Sequence, residues 1–139
     1  MAIVDLESTA AALVADGKGI LAADETPKTL TKRFDALSIH STPDTRRSYR
    51  EMLFGAPRIA RFISGVIMQD ETIHQQSSIR TPFADVLTQQ GIIPGIKVDT
   101  GAKRLAGTTA ENITEGLDGL RDRLKGYAQL GRGLPNGGR

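Results

Sequence analysis

The chain has 139 residues, of which 39% are hydrophobic and 24% charged, the composition of one globular domain rather than of a disordered or fibrous chain. It contains no cysteine, which excludes disulfides, a thiolate nucleophile and a Cys-ligated metal, and no apolar run approaches the roughly 18 residues that span a bilayer. The net charge is +2, aromatic residues make up 4%, and the N-terminus lacks the pattern of a signal peptide, so we expect a cytoplasmic protein without membrane or nucleic-acid partners.

The first predicted elements are an amphipathic helix over residues 6–14 and a short apolar strand over Gly19–Ala23. Asp24 follows that strand directly, and because side chains alternate along a strand, it shares a face with Ile20. In α/β folds the carboxyl ends of the strands carry the chemistry. Asp24 is therefore a candidate functional residue.

Three Thr-Pro pairs mark the starts of three further helices, since a threonine can cap a helix and a proline suits its first position. The pairs are Thr26-Pro27, Thr42-Pro43 and Thr81-Pro82. The apolar spacing predicts that the first of these helices ends near His40, that the second stops at Gly55 and that the third stops at Gly91.

Two more apolar runs, Ile63–Met68 and Ile92–Val98, are predicted strands. With the first strand they alternate with helices, which is the pattern of βαβ units in a parallel sheet. A dinucleotide-binding fold would place a GxGxxG motif after its first strand, where this chain has AADETP. The sequence therefore predicts an α/β protein of the (β/α) barrel type, with its site at the carboxyl ends of the strands.

A fourth helix is predicted from five apolar residues spaced by four and three positions, from Ile113 to Tyr127. Residues 121–139 carry five basic groups against one acid, which fits a solvated helix end better than a surface for nucleic acid or anionic lipid. The final residues, 131–139, are rich in glycine and are expected to be irregular.

Lys97 and Asp99 share one face at the end of the third predicted strand, in the segment GIKVDTG. An ionisable residue in an apolar strand is costly unless it is paired or functional, and Asp24 is the natural partner of Lys97 across the mouth of a barrel. Such a pair could be poised for proton transfer or carbonyl chemistry, or it could be a buried ion pair that only fixes geometry. The spacing leaves both interpretations open.

The other candidates have structural explanations of similar or greater weight. His40 and His74 fit solvated surface residues, and neither has the spacing of a zinc ligand. Asp70-Glu71 follows the second strand and fits a helix cap as well as a catalytic role. Two basic pairs, Lys32-Arg33 and Arg46-Arg47, could hold a phosphate but also fit solvated helix faces.

Long segments of the chain resemble one known family. They are GKGILAADET, TKRF, RRSYREMLF, SGVIMQDET, GIKVDTG and LAGTTAENITEGLDGLRDRLKGYAQLG, and they occur in order from about residue 10 to Gly131. On these residues the chain resembles the amino-terminal part of class I fructose-1,6-bisphosphate aldolase, the Schiff-base-forming glycolytic enzyme. The resemblance implies a (β/α)8 barrel, with about its first three βα units in residues 1–130.

The resemblance also implies roles for individual residues. Asp24 matches an aspartate that interacts with a substrate hydroxyl and assists carbon–carbon cleavage, and Lys97 matches a lysine that supports the same site electrostatically. Arg33 matches a phosphate-binding arginine, and Arg46 matches a second arginine at the rim of the site.

Two hydroxyl side chains, Thr26 and Thr29, stand where the family has serines that contact substrate. The implied activity is the reversible cleavage of fructose 1,6-bisphosphate to dihydroxyacetone phosphate and glyceraldehyde 3-phosphate, with no metal or other cofactor. A homo-oligomer is left open.

The family's Schiff-base lysine and its acid/base glutamate lie on later strands, so the resemblance implies that a chain of 139 residues is inactive alone. The alternative is a non-catalytic fragment that binds sugar phosphates or another subunit. The final GRGLPNGGR stands where the family continues into its fourth strand, which indicates a frameshifted or otherwise truncated gene.

Overall fold

The computed structural model describes the backbone of residues 3–131 and the side chains of residues 6–130. Within this part of the chain the helices are α1 (Ile3–Leu13), α2 (Pro27–Ala36), α3 (Pro43–Phe54), α4 (Asp70–Ile73), α5 (Phe83–Gln89) and α6 (Leu120–Gly131), with a 3-10 turn at Ile59–Arg61. The strands are β1 (Gly19–Ala23), β2 (Ile63–Met68), β3 (Ile93–Ile96), β4 (Gly101–Arg104) and β5 (Asn112–Glu115).

The first three strands form a parallel sheet in the order β1-β2-β3, and β4 and β5 form a separate antiparallel hairpin. The register aligns Ala23 with Met68 and Met68 with Ile96, so the three parallel strands end at one level. The backbone amide of Lys97 still donates to the carbonyl of Met68, at 2.8 Å. This arrangement confirms the predicted α/β class with three βα units and places the carboxyl ends of the strands at a common edge.

Local capping explains where two of the helices begin. Thr26 caps α2 by accepting a hydrogen bond from the backbone amide of Thr29, at 3.3 Å, and Thr42 caps α3 through a two-way capping box. Both starts confirm the Thr-Pro prediction. At the third pair the prediction is shifted by one residue, because Pro82 itself occupies the capping position of α5.

The core lies between the sheet and the helices α3 and α5. Phe54 and Phe83 are fully buried and pack edge to face, with ring centroids 5.3 Å apart. Buried side chains of the central strand and of α5 belong to the same cluster, among them Val66, Met68, Ala84 and Leu87. The core therefore packs against the central strand, β2, whose end lies in the middle of the common edge.

The last third of the chain corrects the sequence prediction. The helix α6 begins only at Leu120, so that Ile113 lies in the hairpin strand β5 and Leu117 is 85% exposed outside any helix. The backbone of Gly116 and Gly119 has φ angles of +153° and +67°, which a helix does not accommodate. The predicted helix over 113–127 therefore exists only in its second half.

Smaller differences concern the ends of elements. The helix α2 stops at Ala36 rather than near His40, and β3 covers Ile93–Ile96 rather than Ile92–Val98. Of the predicted irregular segment, residues 132–139 lie outside the described residues. Among the helices of the described part, none has the length and apolar character needed to cross a membrane.

The loop after α4 is tied to α3 by Glu51. Its carboxylate accepts hydrogen bonds from the backbone amide and the hydroxyl of Ser78, at 2.9 and 2.7 Å, and from Arg47 at 2.6 Å. These hydrogen bonds, those of Ser78 above all, lower the pKa of Glu51 to about 2. The ionised carboxylate is therefore the form that holds the loop.

We expect Glu51→Gln to lower stability at neutral pH and to change it little near pH 2. Because the folded-state pKa of Glu51 is depressed, its contribution is present above its ordinary pKa and is lost as the pH falls through about 2. Urea midpoints of the wild type and the variant should therefore converge as the pH is lowered from 7. The control is Glu7→Gln, at an exposed glutamate of α1. A difference in urea midpoint between the wild type and Glu51→Gln that stays constant with pH would contradict the prediction.

Candidate active site

Three side chains follow the three parallel strands at one level: Asp24, Gln69 and Lys97. Neighbouring strands are about 4.8 Å apart, so the α-carbons of Asp24 and Lys97, on the two outer strands, are separated by about 10 Å. Two residues that are far apart in the sequence thus share one edge of the sheet.

A cavity of about 410 Å³ opens at this edge. Its main polar lining comes from the cap of α2, from the segments that follow β2 and β3, and from α4 and α6: Thr26, Gln69, Asp70, Lys97, Asp99, Arg123 and Tyr127. The wall therefore offers two cationic and two carboxylate side chains together with hydroxyls. Such a lining suits a polar, charged ligand of small size.

The predicted ion pair between Asp24 and Lys97 is not formed. The ammonium of Lys97 donates instead to Asp99, two residues along the chain, while the other oxygen of Asp99 accepts from the backbone amide of Gly101 at 3.0 Å. The hydrogen bond from Lys97 is the main reason that the pKa of Asp99 lies below its usual range. The carboxylate of Asp24 is half-buried and makes no hydrogen bond or ion pair with any described residue.

Glu25 links the end of β1 to α3. Its carboxylate accepts hydrogen bonds from Arg50 and Arg33, each at 2.7 Å, and its backbone carbonyl accepts a further one from Arg50 at 2.9 Å. The side chain of Arg50 is 1% exposed and that of Arg33 is 58% exposed. Partial burial raises the pKa of Glu25, but the hydrogen bonds from the arginines outweigh it, and the pKa lies below its ordinary value. This buried pair fixes the segment that carries Asp24 and Thr26.

Of the four predicted substrate-binding residues, Thr26 lines the cavity and the other three do not. The hydroxyl of Thr29 lies 3.1 Å from that of Thr26 at the start of α2. Arg46 forms a two-pronged ion pair with Glu71, at 2.7 and 2.9 Å, and donates to Ser41 at 2.8 Å, so the structure does not bring it into the cavity. Arg33 is exposed on α2, outside the cavity lining, and has no polar partner except Glu25 among the described residues.

Of the remaining predicted candidates, one lies at the cavity and the others lie outside it. Asp70 and Glu71 both lie in the short helix α4, and only Asp70 lines the cavity. His40 and His74 are exposed, as predicted, and Nδ1 of His74 lies 2.7 Å from the carbonyl oxygen of Asp70. The described residues contain no group of three or more His, Asp or Glu side chains that could bind a metal.

Sequence reasoning missed the contributions of α6. The hydroxyl of Tyr127 donates to Asp70 at 2.8 Å, and burial, followed by this hydrogen bond, raises the pKa of Tyr127. Arg123, predicted to be part of a solvated helix end, donates to the backbone carbonyl of Val98 at 2.9 Å and to that of Gly116. No local signal indicates these contacts, since the Tyr127 bond spans 57 positions of the chain.

Known proteins share this sequence over nearly its whole length. The family model for glycolytic class I fructose-bisphosphate aldolase matches residues 5–134. A probable class 1 fructose-bisphosphate aldolase of Xanthomonas campestris pv. campestris is 52% identical over 131 residues, which are 94% of this chain and 39% of that protein. The protein named fructose-bisphosphate aldolase 6, cytosolic, of Arabidopsis thaliana is 47% identical over 91% of this chain and 36% of its own length.

The solved structures show the same relationship. The fructose-bisphosphate aldolase of Plasmodium falciparum, crystallised with TRAP and a small-molecule inhibitor, superposes with a TM-score of 0.88 at 45% identity, covering 92% of this chain and 37% of that one. This chain thus spans less than two fifths of the length of these relatives. Its parallel strands and helices form the amino-terminal part of a TIM barrel. The chain belongs to the class I fructose-bisphosphate aldolase family.

Proposed function

We propose that this chain supplies the amino-terminal part of the sugar-phosphate site of a class I fructose-bisphosphate aldolase. The reaction is the reversible cleavage of fructose 1,6-bisphosphate to dihydroxyacetone phosphate and glyceraldehyde 3-phosphate. The observation that carries the proposal is the placement of Asp24 and Lys97 at one level, on the carboxyl edge of a parallel sheet beside a polar cavity. We place the protein in the cytoplasm, as the name of the Arabidopsis relative indicates for that protein.

Asp24 and Lys97 have complementary parts in this proposal. The carboxylate of Asp24 has no partner among the described residues, so it is free to accept a hydrogen bond from a sugar hydroxyl. The ammonium of Lys97 lines the cavity and can donate to an oxygen of the ligand. An acceptor on one outer strand and a donor on the other would orient a sugar chain between them.

The start of α2 is the part of the site that we assign to a phosphate. Thr26 and Thr29 present two neighbouring hydroxyls there, and the amino-terminal end of the helix dipole adds positive potential. The exposed guanidinium of Arg33 keeps donors that Glu25 does not use. Arg46 acts at the rim, where its ion pair with Glu71 holds α4 in place.

Lys97 does not serve as the Schiff-base lysine in this proposal. It forms its ion pair with Asp99 as an ammonium, and an ammonium has no lone pair to attack a carbonyl carbon. The other described lysines lie outside the cavity: Lys18, Lys28, Lys32, Lys103 and Lys125. The resemblance implies a nucleophilic lysine on a later strand, so we expect the 139-residue chain to bind the sugar phosphate without cleaving it.

Calorimetric titration with fructose 1,6-bisphosphate tests this proposal. We expect stoichiometric binding, and we expect Lys97→Met to weaken it by about tenfold or more, because a charge-assisted hydrogen bond contributes about 1.5–3 kcal/mol. The matched control is Lys103→Met, at an exposed lysine that pairs with Glu115 on the hairpin. Equal affinities for the wild type and Lys97→Met would contradict the assignment of the site.

Two further measurements separate binding from catalysis. Unphosphorylated fructose should bind far more weakly than the bisphosphate, because it lacks the charge that Arg33 and the start of α2 would hold. Borohydride reduction in the presence of dihydroxyacetone phosphate should leave the chain without a covalent adduct. An adduct would overturn the expectation that this chain binds without turnover.

A further inference from the structure

Arg123 uses its guanidinium in an unusual way for a charged side chain. It projects from the first turn of α6 to the cavity wall, where it donates to the backbone carbonyls of Val98 at 2.9 Å, of Gly116 and of Asp118 at 3.4 Å. Among the described residues it has no carboxylate within ion-pair distance. The guanidinium of Arg123 therefore stabilises the backbone and does not pair with a described carboxylate.

The backbone that it holds connects Lys97 to its partner. The Val98 carbonyl belongs to the peptide bond that leads into Asp99. Gly116 lies against the same peptide from the hairpin side, so closely that a β-carbon there would be 2.8 Å from the α-carbon of Asp99 and 2.9 Å from the carbonyl oxygen of Val98. The peptide is thus fixed between a side chain of α6 and the backbone that follows β5.

We propose that Arg123 is a positioning residue, which fixes the Lys97–Asp99 ion pair at the cavity wall by holding the Val98 carbonyl. Lys97 is already anchored through its backbone amide to Met68 at the end of β2. Arg123 adds the second anchor, on the far side of the lysine. The expected effect of Arg123 on ligand affinity rests on the proposed function, whereas its effect on the Lys97–Asp99 ion pair does not.

An NMR pH titration of the Asp99 carboxyl group tests the inference without any ligand. In Arg123→Gln the peptide is released, Lys97 and Asp99 are no longer held together, and the pKa of Asp99 should rise toward its ordinary value. The matched control is Arg121→Gln, on the same helix turn, where the arginine is exposed and makes no hydrogen bond or ion pair with described residues. It should leave the pKa of Asp99 unchanged.

A second variant covers the case in which Arg123→Gln does not fold. Arg123→Lys keeps the positive charge and the aliphatic stem but lacks the planar fork that bonds several carbonyls at once. It should shift the pKa of Asp99 in the same direction by a smaller amount. An unchanged pKa of Asp99 in the folded variants overturns the inference, because a residue that only stabilises α6 would not move it.

Calorimetry with fructose 1,6-bisphosphate supplies the second readout. The affinity should fall at least threefold in Arg123→Gln and stay unchanged in Arg121→Gln. If the wild type does not bind the bisphosphate, the proposed function fails, while a shift in the pKa of Asp99 still supports the positioning role. If the wild type binds and Arg123→Gln binds equally well, the part of the inference that concerns affinity is overturned.

Discussion

Replacing Arg50 with methionine is expected to lower the free energy of unfolding by about 3 kcal/mol, because it removes the buried partner of Glu25 and leaves only the exposed Arg33 to compensate the charge of that carboxylate. Arg50 is 1% exposed and supplies hydrogen bonds both to the carboxylate and to the backbone carbonyl of Glu25. Methionine retains much of the volume and removes all of the donors. Urea unfolding followed by circular dichroism at neutral pH measures the loss.

The second arginine that contacts Glu25 is the matched control for this prediction. Arg33 donates to the same carboxylate at the same distance of 2.7 Å, but its side chain is 58% exposed. Arg33→Met should therefore cost less than about 1 kcal/mol, the usual range for an exposed ion pair. Adding Glu25→Gln to Arg50→Met should recover part of the loss, because it removes a partly buried carboxylate whose remaining ion-pair partner, Arg33, is exposed. Equal losses for the two arginine variants would contradict the role assigned to burial.

Gly116→Ala is expected to destabilise the fold by about 2 kcal/mol, because overpacking against a rigid neighbour forces the backbone to shift. The added β-carbon would lie 2.8 Å from the α-carbon of Asp99, and the φ angle of +153° is one that residues with a side chain rarely adopt. The three heavy atoms nearest to this position all belong to backbone and cannot rotate away. Thermal or urea unfolding measures the effect.

A second glycine, ten residues along the chain, provides the comparison. Gly126 lies inside α6 with no atom near the position of a β-carbon, so Gly126→Ala should stabilise the protein by about 0.5–1 kcal/mol. The two alanine variants thus have opposite expected signs. A Gly116→Ala variant that is as stable as the wild type would show that the close approach at Gly116 does not make glycine necessary there.

The sequence predicted the parallel sheet well because its signals are local. The strands over 19–23 and 63–68 have the predicted bounds, since each is a short apolar run between clear helix signals. The helices α2 and α3 begin where a threonine precedes a proline, because the cap and the first turn depend only on neighbouring residues.

The hairpin of β4 and β5 could not be predicted in the same way. All four residues of β5 are exposed, so no alternation of apolar and polar side chains marks it as a strand. Ile113 and Leu117 instead continue the spacing of α6 by coincidence and extend the predicted helix into the hairpin. Only the pairing with residues 101–104, on the other side of a turn, determines the conformation of this segment.

The sequence indicated the edge of the sheet at which Asp24 and Lys97 lie, but not the contacts of their side chains. Asp24 and Lys97 were identified because residues that follow parallel strands meet at one edge. Their separation by a whole intervening strand was not visible in the sequence, and it favours Asp99 as the partner of Lys97. Arg50 and Arg123 act through contacts with residues 25 positions away, which no local pattern indicates.

The carboxylate of Asp99 is a built-in counter-ion for Lys97. An anionic ligand that reaches the lysine does not add itself to an unpaired cation but exchanges with a carboxylate, so the free energy of binding is the difference between two ion pairs. Released from the lysine, Asp99 can turn to water, since its side chain is already 36% exposed. A charged group could displace Asp99 in this exchange, whereas a neutral sugar hydroxyl would accept one of the other ammonium hydrogens of Lys97 and leave the ion pair in place. Because of Asp99, an anionic ligand at this edge of the sheet has to displace an existing ion-pair partner and does not bind to a free cation.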